Sequence, residues 1–431
     1  MKILWLADTP IYNTDDGHNG RGWIESELEL FRNFKNTTIG VAYNTRSQNA
    51  EVVRDQNFTF FPLKSNLAFK FKPLNIIPRW LGIYDNKRDL MQLKNIIEQF
   101  KPDIIYLFGS EWYGISVVNL TNIPVVVHIQ GILIPYYYAF MPPSISEGSI
   151  FISGLRNVSS FFKGNSFYFI RKRFLKMAKR EKECLPLVRY FMGRTQWDYS
   201  VTNLFSPNSQ YYHLNEVLRK EFYFAKKWIY TADEAPNEIK VISTISNASY
   251  KGLDLIYKCC SIINLPKNIK LSWNICGICK DDEAVSLFSR KSSNKENISI
   301  NYLGVVNTET LIDKLKSSFI YVHPSYIDNS PNSVCEAQYI GTPVITTNVG
   351  GLSSIVKDEY TGLLVPANDP CMLACKILDL YLHPQKAIYI SRNEIFEATV
   401  RHDKENIKKE MLDIYNKILQ NEILSNNCKL E

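Results

Sequence analysis

The chain has no run of about eighteen apolar residues, so no stretch of it reads as a helix that spans a bilayer. Its opening, MKILWLADTP, carries one Lys and a short apolar run that Asp8 interrupts, with no small-residue cleavage site after it. That pattern reads as a first strand and not as a secretory leader. The dinucleotide fingerprint G-x-G-x-x-G is missing, which removes the ground for expecting a nicotinamide cofactor. No nucleic-acid-binding motif is found, so nucleic acid is not an expected partner. The nine cysteines are odd in number and scattered, which argues for reduced thiols in a cytoplasmic setting. Cys276 and Cys279 have the C-x-x-C spacing but no second pair or His pair beside them, so a structural role is expected. Cys371 and Cys375, four apart in a helical pattern, are expected in the core.

What is there begins with size. A chain of 431 residues is too long for one ordinary core, and two domains are the natural expectation. With 45% hydrophobic and 22% charged residues the composition is globular. A net charge of +7 favours anionic partners without choosing among them.

Strand and helix patterns alternate along the first half. Lys2 to Ala7 reads as a strand, and a loop containing Gly17, Gly20 and Gly22 leads into a helix from about Trp23 to Phe34. Glycines in such a loop let the backbone approach a ligand, or simply turn tightly. Further strands are read at Ile39–Tyr43, Phe58–Leu63, Asp103–Phe108 and Ile123–His128, another ends in the run Tyr190 to Thr195, and a helix is read at Asp89–Phe100. This alternation implies a parallel sheet covered by helices, with ligands beyond the carboxyl ends of the strands. His128, before Ile-Gln-Gly131, stands at such an end as a polar contact to a reacting group or as a structural histidine, and Glu111 is on the same rim. Arg194 follows a strand and suits a phosphate, an interdomain brace or a local ion pair. From Phe151 to Glu183 aromatic residues interleave with Arg171, Lys172, Arg173, Lys176, Lys179 and Arg180. Phe167, Ile170, Phe174 and Met177 share a helical face there, which suits either an anionic membrane surface or a helix packed on the first sheet. A second aromatic and basic stretch, Phe69 to Trp80, adds slightly to the membrane option.

The run from Ala232 to Glu238 is a polar linker, after which a second alternating series begins at Val241. Ser246 to Gly252 leads into a helix from Leu253 to Ile263, and a Lys at that junction, Lys251, adds its point charge to a helix N-terminus, a ready phosphate ligand. Strands at Trp273–Gly277, Ile298–Gly304 and Phe319–Val322 flank a helix at Thr308–Lys316. They lead into His323 to Gly351, HPSYIDNSPNSVCEAQYIGTPVITTNVGG, the most informative stretch of the chain. Asp328 precedes a polar turn, Glu336 lies eight positions later inside a helix that Ser330 or Asn332 could cap, and Gly350-Gly351 opens the next loop. A helix start binds phosphate and carboxylates accept from vicinal hydroxyls, so together they fit a nucleotide sugar.

This stretch resembles the donor-binding motif of retaining glycosyltransferases of the GT-B fold, family four, whose pattern is an acidic residue, seven residues, then Glu. The resemblance is strong from about Glu238 to Leu382 and looser before it. It implies an α/β chain with two Rossmann-like α/β/α domains facing a central cleft. These would be an acceptor-binding domain over 1–231, a linker over 232–238, a nucleotide-sugar-binding domain over 239–402, and a C-terminal helix over 403–431 returning toward the first domain. It implies that Glu336 holds ribose hydroxyls and Asp328 sugar hydroxyls. Ser330, Pro331, Asn332 and Ser333 then face phosphate or sugar, Gly20, Gly22, Gly350 and Gly351 line the donor, and Lys251 and Arg194 meet the diphosphate. Asp328, Lys251 and His128 are the expected catalytic set. The family's Arg shortly before Lys251 is absent, with Ser246 and Asn247 in its place, and Ser353-Ser354 replaces a Pro-Glu pair.

With no Asp-x-Asp at a strand end, and with phosphate charge met by Lys251 and helix N-termini, no metal and no cofactor are expected. The expected partners are a nucleotide-sugar donor and a glycan or lipid-linked oligosaccharide acceptor. The motif resembles those of bacterial surface polysaccharide assembly (capsule, O-antigen or exopolysaccharide), with a cytoplasmic protein that is free or peripheral on the inner membrane. A non-catalytic GT-B scaffold and a GT-B nucleotide-sugar epimerase are the alternatives.

Overall fold

A computed structural model describes residues 1–9, 22–32, 34, 37–45, 47, 49–64, 80, 86–143, 145–230, 236–289 and 295–427. Gly20, Phe69 to Pro78 and most of the expected linker lie outside them. The chain forms two compact units. The first comprises Met1–Tyr137, Lys172–Arg219 and His402–Glu431, and the second comprises Tyr138–Arg171 and Lys220–Arg401.

The first unit is built on strands β1 (Lys2–Ala7), β2 (Thr38–Thr45), β3 (Val53–Asp55), β4 (Phe58–Lys64), β5 (Ile104–Phe108), β6 (Val125–His128), β7 (Tyr190–Gly193) and β8 (Gln210–His213). They lie in the order β3-β4-β2-β1-β5-β6-β7-β8, parallel except for β3, which pairs antiparallel to β4. The central strands are buried on both faces, which is why they read as continuous apolar runs. The two-residue period divides them. Ile3, Trp5 and Ala7 join one core with Tyr106, while Leu4 and Leu6 join the other with Leu107 and Phe100. The final helix, Lys404–Asn427, covers the first of these faces through Ile407, Met411, Tyr415 and Ile418.

The second unit holds β9 (Glu238–Thr244), β10 (Lys270–Cys276), β11 (Ile298–Gly304), β12 (Ile320–His323), β13 (Val344–Thr347) and β14 (Leu363–Val365). All six are parallel, in the order β11-β10-β9-β12-β13-β14. Renumbered within the unit, this is the doubly wound order 3-2-1-4-5-6, whose connections diverge between β9 and β12 and leave a crevice at their carboxyl ends.

Several expectations need correction. Cys371 and Cys375 are exposed on the helix Pro370–Leu382. Their spacing does put them on one face, but Leu373, Ile377 and Leu380 bury the other. The segment 138–171 packs with the second unit instead of the first domain. Ser153 Oγ lies 3.3 Å from Ser286 Oγ, and Phe167 donates its N–H to Glu283 at 2.9 Å. Burial pushes that carboxyl up to about 7. The helix Phe167–Cys184 is packed, with Phe167 and Phe169 buried. Strand β9 begins at Glu238, inside the expected linker, and the helix expected to end at Phe34 spans Gly22–Phe31.

Candidate active site

In the second unit the site grows from the loops after β9 and β12. After β9 the chain makes a short 3-10 turn, Ser249–Lys251, and enters the helix Leu253–Ile262 through Gly252. Gly252 has φ +77°, and a Cβ there would lie 1.9 Å from the Pro324 carbonyl oxygen. Only glycine lets the two loops approach this closely. The crossing brings Lys251 to Asp328, with Nζ 2.6 Å from Oδ2. Gly350 does the same on the other side, with φ +54° and a Cβ position 1.9 Å from the Asp328 carbonyl oxygen. The N–H of Gly351 donates to that oxygen at 3.0 Å. Gly350 and Gly351 therefore clamp the backbone of Asp328.

His323, the last residue of β12, places Nε2 2.9 Å from the same Asp328 oxygen. Burial lowers the His323 pKa, so the ring is neutral and its Nε2–H donates to the carboxylate. Burial alone would raise the Asp328 pKa, but the Lys251 charge and the His323 hydrogen bond outweigh it and hold the group well below the ordinary carboxylate range. Asp328 is thus a buried, ionised group with a cation on one side and a neutral donor on the other. Lys251 is raised in turn, burial opposing and Asp328 prevailing.

The helix Asn332–Ile340 starts beside this cluster. Pro331, between the expected Ser330 and Asn332, occupies the N-cap position in an extended conformation. Proline's fixed φ sets the entry, and the Pro331 carbonyl accepts from Val334 at 3.0 Å and Cys335 at 3.3 Å. Ser330 is buried, Ser333 lies in the first turn, and Glu336 lies within the helix, 5% exposed. Asn247, which stands where an Arg was expected, braces the next loop. It accepts from the Ala284 N–H at 3.1 Å.

The first unit gathers its own polar groups at strand ends. His128 ends β6 at 1% exposure, with Nδ1 2.5 Å from the Tyr106 hydroxyl. Tyr106 also reaches Glu27 Oε1 at 3.2 Å. Glu216 accepts from Gln130 at 2.6 Å and pairs with Arg194 at 3.2 Å, while His128 Nε2 is 3.6 Å away. His402 Nδ1 lies 2.7 Å from the Glu216 carbonyl. His128 and Arg194 are therefore brought together through Glu216. Burial, with Arg194 beside it, lowers His128 to about 3, so its ring is neutral. Burial and the nearby Glu216 push Glu27 up to about 8.

A second group in the same unit lies after β1 and β5. Asn44 donates to Asp8 at 2.6 Å and accepts from Tyr113 at 2.5 Å. Arg180 donates to the Glu111 carbonyl at 2.9 Å, and Glu181 accepts from Ser110 at 2.5 Å and from the Ile134 N–H at 3.1 Å. Burial pushes Glu111 up to about 8 and Glu181 to about 7. Gly22 begins the helix Gly22–Phe31.

Sequence reasoning missed His323, Glu216, Glu27 and Tyr106. His323 had a signal, since Val-His closes β12 just as it closes β6. Among the described residues no group of three or more His, Cys, Asp or Glu could hold a metal ion, and no helix is long and apolar enough to cross a membrane.

Comparison with known proteins places these loops in context. Residues 226–395 match the family described as "Glycosyl transferases group 1". Over 114 residues the chain is 32% identical to an uncharacterized glycosyltransferase of Methanocaldococcus jannaschii. That match covers 26% of this chain and 29% of the relative, so the chain spans under a third of the length of this curated relative. Among solved structures it is similar to the sucrose-phosphate synthase of Thermosynechococcus elongatus, with a TM-score of 0.69 and 15% identity over 97% of this chain and all of that one. It is also similar to HepE of Anabaena in complex with UDP and glucose, with a TM-score of 0.59 and 13% identity over 97% of this chain and 100% of that one. The fold is the two-sheet α/β fold of GT-B glycosyltransferases.

Proposed function

We propose that the protein is a retaining, metal-independent glycosyltransferase that moves a sugar from a nucleotide-sugar donor to a hydroxyl of a glycan or lipid-linked oligosaccharide in bacterial surface polysaccharide synthesis. The observation that carries this reading is the Lys251–Asp328–His323 cluster at the β9/β12 divergence, beside the start of the helix Asn332–Ile340 and inside the matched stretch 226–395. The HepE structure, solved with UDP and glucose, supports a uridine nucleotide sugar as the donor class to test first.

In this reading Lys251 and the first turn of the helix carrying Ser333 meet the diphosphate, Glu336 the ribose hydroxyls and Asp328 the sugar hydroxyls. The C1–O bond to the diphosphate breaks with both electrons going to the phosphate oxygen. The acceptor hydroxyl oxygen bonds C1 from the same face, and its proton passes to the departing phosphate. Stabilising the leaving group, by Lys251 and helix N-termini, is then the main catalytic effect. His128 is a polar contact to the reacting sugar or the acceptor and Arg194 meets the diphosphate, with Glu216 orienting both.

The test is a thermal-shift and turnover screen against UDP, GDP, ADP and CMP sugars, with and without EDTA, followed by NMR of the product's anomeric centre. Stabilisation by one donor, EDTA-insensitive release of its nucleotide and a retained anomer are expected. Stabilisation without turnover on any acceptor supports a scaffold instead, and an epimerised donor supports an epimerase.

A further inference from the structure

The first unit holds a chain of buried groups whose protons can be counted. Glu27 on the helix Gly22–Phe31, Tyr106 in β5, His128 at the end of β6 and Glu216 are each no more than 2% exposed. Glu27 Oε1 is 3.2 Å from the Tyr106 hydroxyl, that hydroxyl is 2.5 Å from His128 Nδ1, and His128 Nε2 faces Glu216 Oε1 at 3.6 Å. A phenol has one proton to give, and a neutral imidazole has one N–H and one lone pair. Tyr106 therefore cannot donate to Glu27 and His128 at once, and two arrangements satisfy both of its contacts. In the first, Glu27 is a carboxylic acid that donates to Tyr106, Tyr106 donates to Nδ1, and the ring proton is on Nε2. In the second, Glu27 is a carboxylate that accepts from Tyr106, Nδ1–H donates to the phenol oxygen, and Nε2 carries the lone pair.

Both ends of the chain select the first arrangement. Glu216 accepts from Gln130 at 2.6 Å and pairs with Arg194 at 3.2 Å, as an ionised carboxylate does. An N–H directed at that charge is attracted, whereas a lone pair is repelled. At the other end Glu27 Oε2 is buried without a hydrogen-bond partner among the described residues. In an acid that oxygen is a bare neutral carbonyl, in a carboxylate it carries half a charge, and the charged form is far costlier to bury.

We propose that Glu27 and Tyr106 are positioning residues that set the tautomer of His128 and, through Glu216, the hold on Arg194. Glu27 donates to Tyr106, Tyr106 to Nδ1, and the ring directs Nε2–H at Glu216. When Glu27 gives its proton to solvent, Tyr106 turns its hydroxyl to the new carboxylate and the ring proton passes from Nε2 to Nδ1. A lone pair then confronts Glu216 and disturbs its pairing with Arg194. Glu216, Arg194, Tyr106 and Tyr415 surround Glu27, and Arg194, Asp198 and His213 surround His128, so a Glu27 variant is needed to separate its titration from theirs. The tautomer is a property of the folded chain, and only its effect on the donor rests on the transferase reading, in which Arg194 meets the diphosphate.

The experiment is long-range 1H–15N correlation of the full chain labelled with 15N-histidine, at about pH 6.5 and about pH 9.5, with His128 assigned from the signals missing in His128→Asn. Protonated Nε2 and bare Nδ1 are expected at the lower pH and the reverse at the higher, with the change centred near the Glu27 value of about 8. Glu27→Gln, whose amide donates to Tyr106 as the acid does, should keep Nε2–H throughout. The KM for the nucleotide sugar should rise about tenfold over this range in the wild type and by less than about twofold in Glu27→Gln. Nδ1–H at the lower pH, a tautomer that ignores pH in the wild type, or the same change in Glu27→Gln would each overturn the proposal. A tautomer change with a constant KM would overturn its link to donor binding while leaving the chain of protons standing.

Discussion

The strand-end clusters of the two sheets are built on opposite electrostatic plans. In the second unit burial is offset by pairing: Asp328 stays ionised between Lys251 and His323. In the first, burial prevails: Glu27 and Glu111 are pushed up to about 8 and Glu181 to about 7, so much of their carboxyl population is neutral near pH 7. A charged cluster with a lysine suits a diphosphate, whereas protonated carboxyls both donate and accept and suit uncharged hydroxyls. In the proposed reading the difference divides the labour of one repeated topology, with the donor's charge met by the paired cluster and a neutral acceptor by the other.

The sharpest way to break this contrast is to remove the cation. Lys251→Met should lower kcat by about a hundredfold or more, measured as nucleotide release, because a leaving-group donor is lost. It should also destabilise the second unit by about 3 kcal/mol in denaturant unfolding, since the buried Asp328 carboxylate loses its cation. Lys251→Met/Asp328→Asn should recover most of the stability and none of the turnover. Full recovery of both would show that the pair is merely structural.

The second test sharpens the other side. Glu27 and Glu111 have folded pKa values above the unfolded value of 4.5, so their contribution is complete below that value and is lost as pH rises to about 8. Asp328 has a depressed folded pKa, so its contribution is present above 3.8 and is lost only as pH falls through the folded value. Melting temperature should therefore fall from about pH 5.5 to about pH 8.5, and Glu111→Gln should flatten that slope. The slope should survive in Asp328→Asn. His128, lowered to about 3, adds a loss of stability below its unfolded value of 6.5, so the acid side should also decline. The smallest effect belongs to Cys371→Ser and Cys375→Ser. Both side chains are exposed, and each change should stay within about 0.5 kcal/mol.

Much of this fold was legible because parallel strands buried on both faces leave unbroken apolar runs. Strands β1 and β11 have the bounds the pattern suggests. Local chemistry also reached part of the site. Asp328 and Lys251, 77 positions apart, meet because two glycines permit it, and both residues were legible at loop-to-helix junctions. What was not legible depends on distant partners. Glu216 is fixed by His402, 186 positions away, and Tyr106 joins Glu27 to His128 only once β1, β5 and β6 are side by side. The segment 138–171 has the composition of its sequence neighbours, but its contacts, such as Phe167 to Glu283, belong to the other unit. Helical spacing put Cys371 and Cys375 on one face without telling which face the sheet covers.

The most direct measurement is the affinity of the wild-type protein and of Lys251→Met for UDP and UDP-glucose by calorimetry, with EDTA present. The account predicts binding of both ligands by the wild type and a loss of about tenfold or more in the variant. Equal affinity in the two proteins would contradict the claim that the paired cluster of the second unit is the donor site.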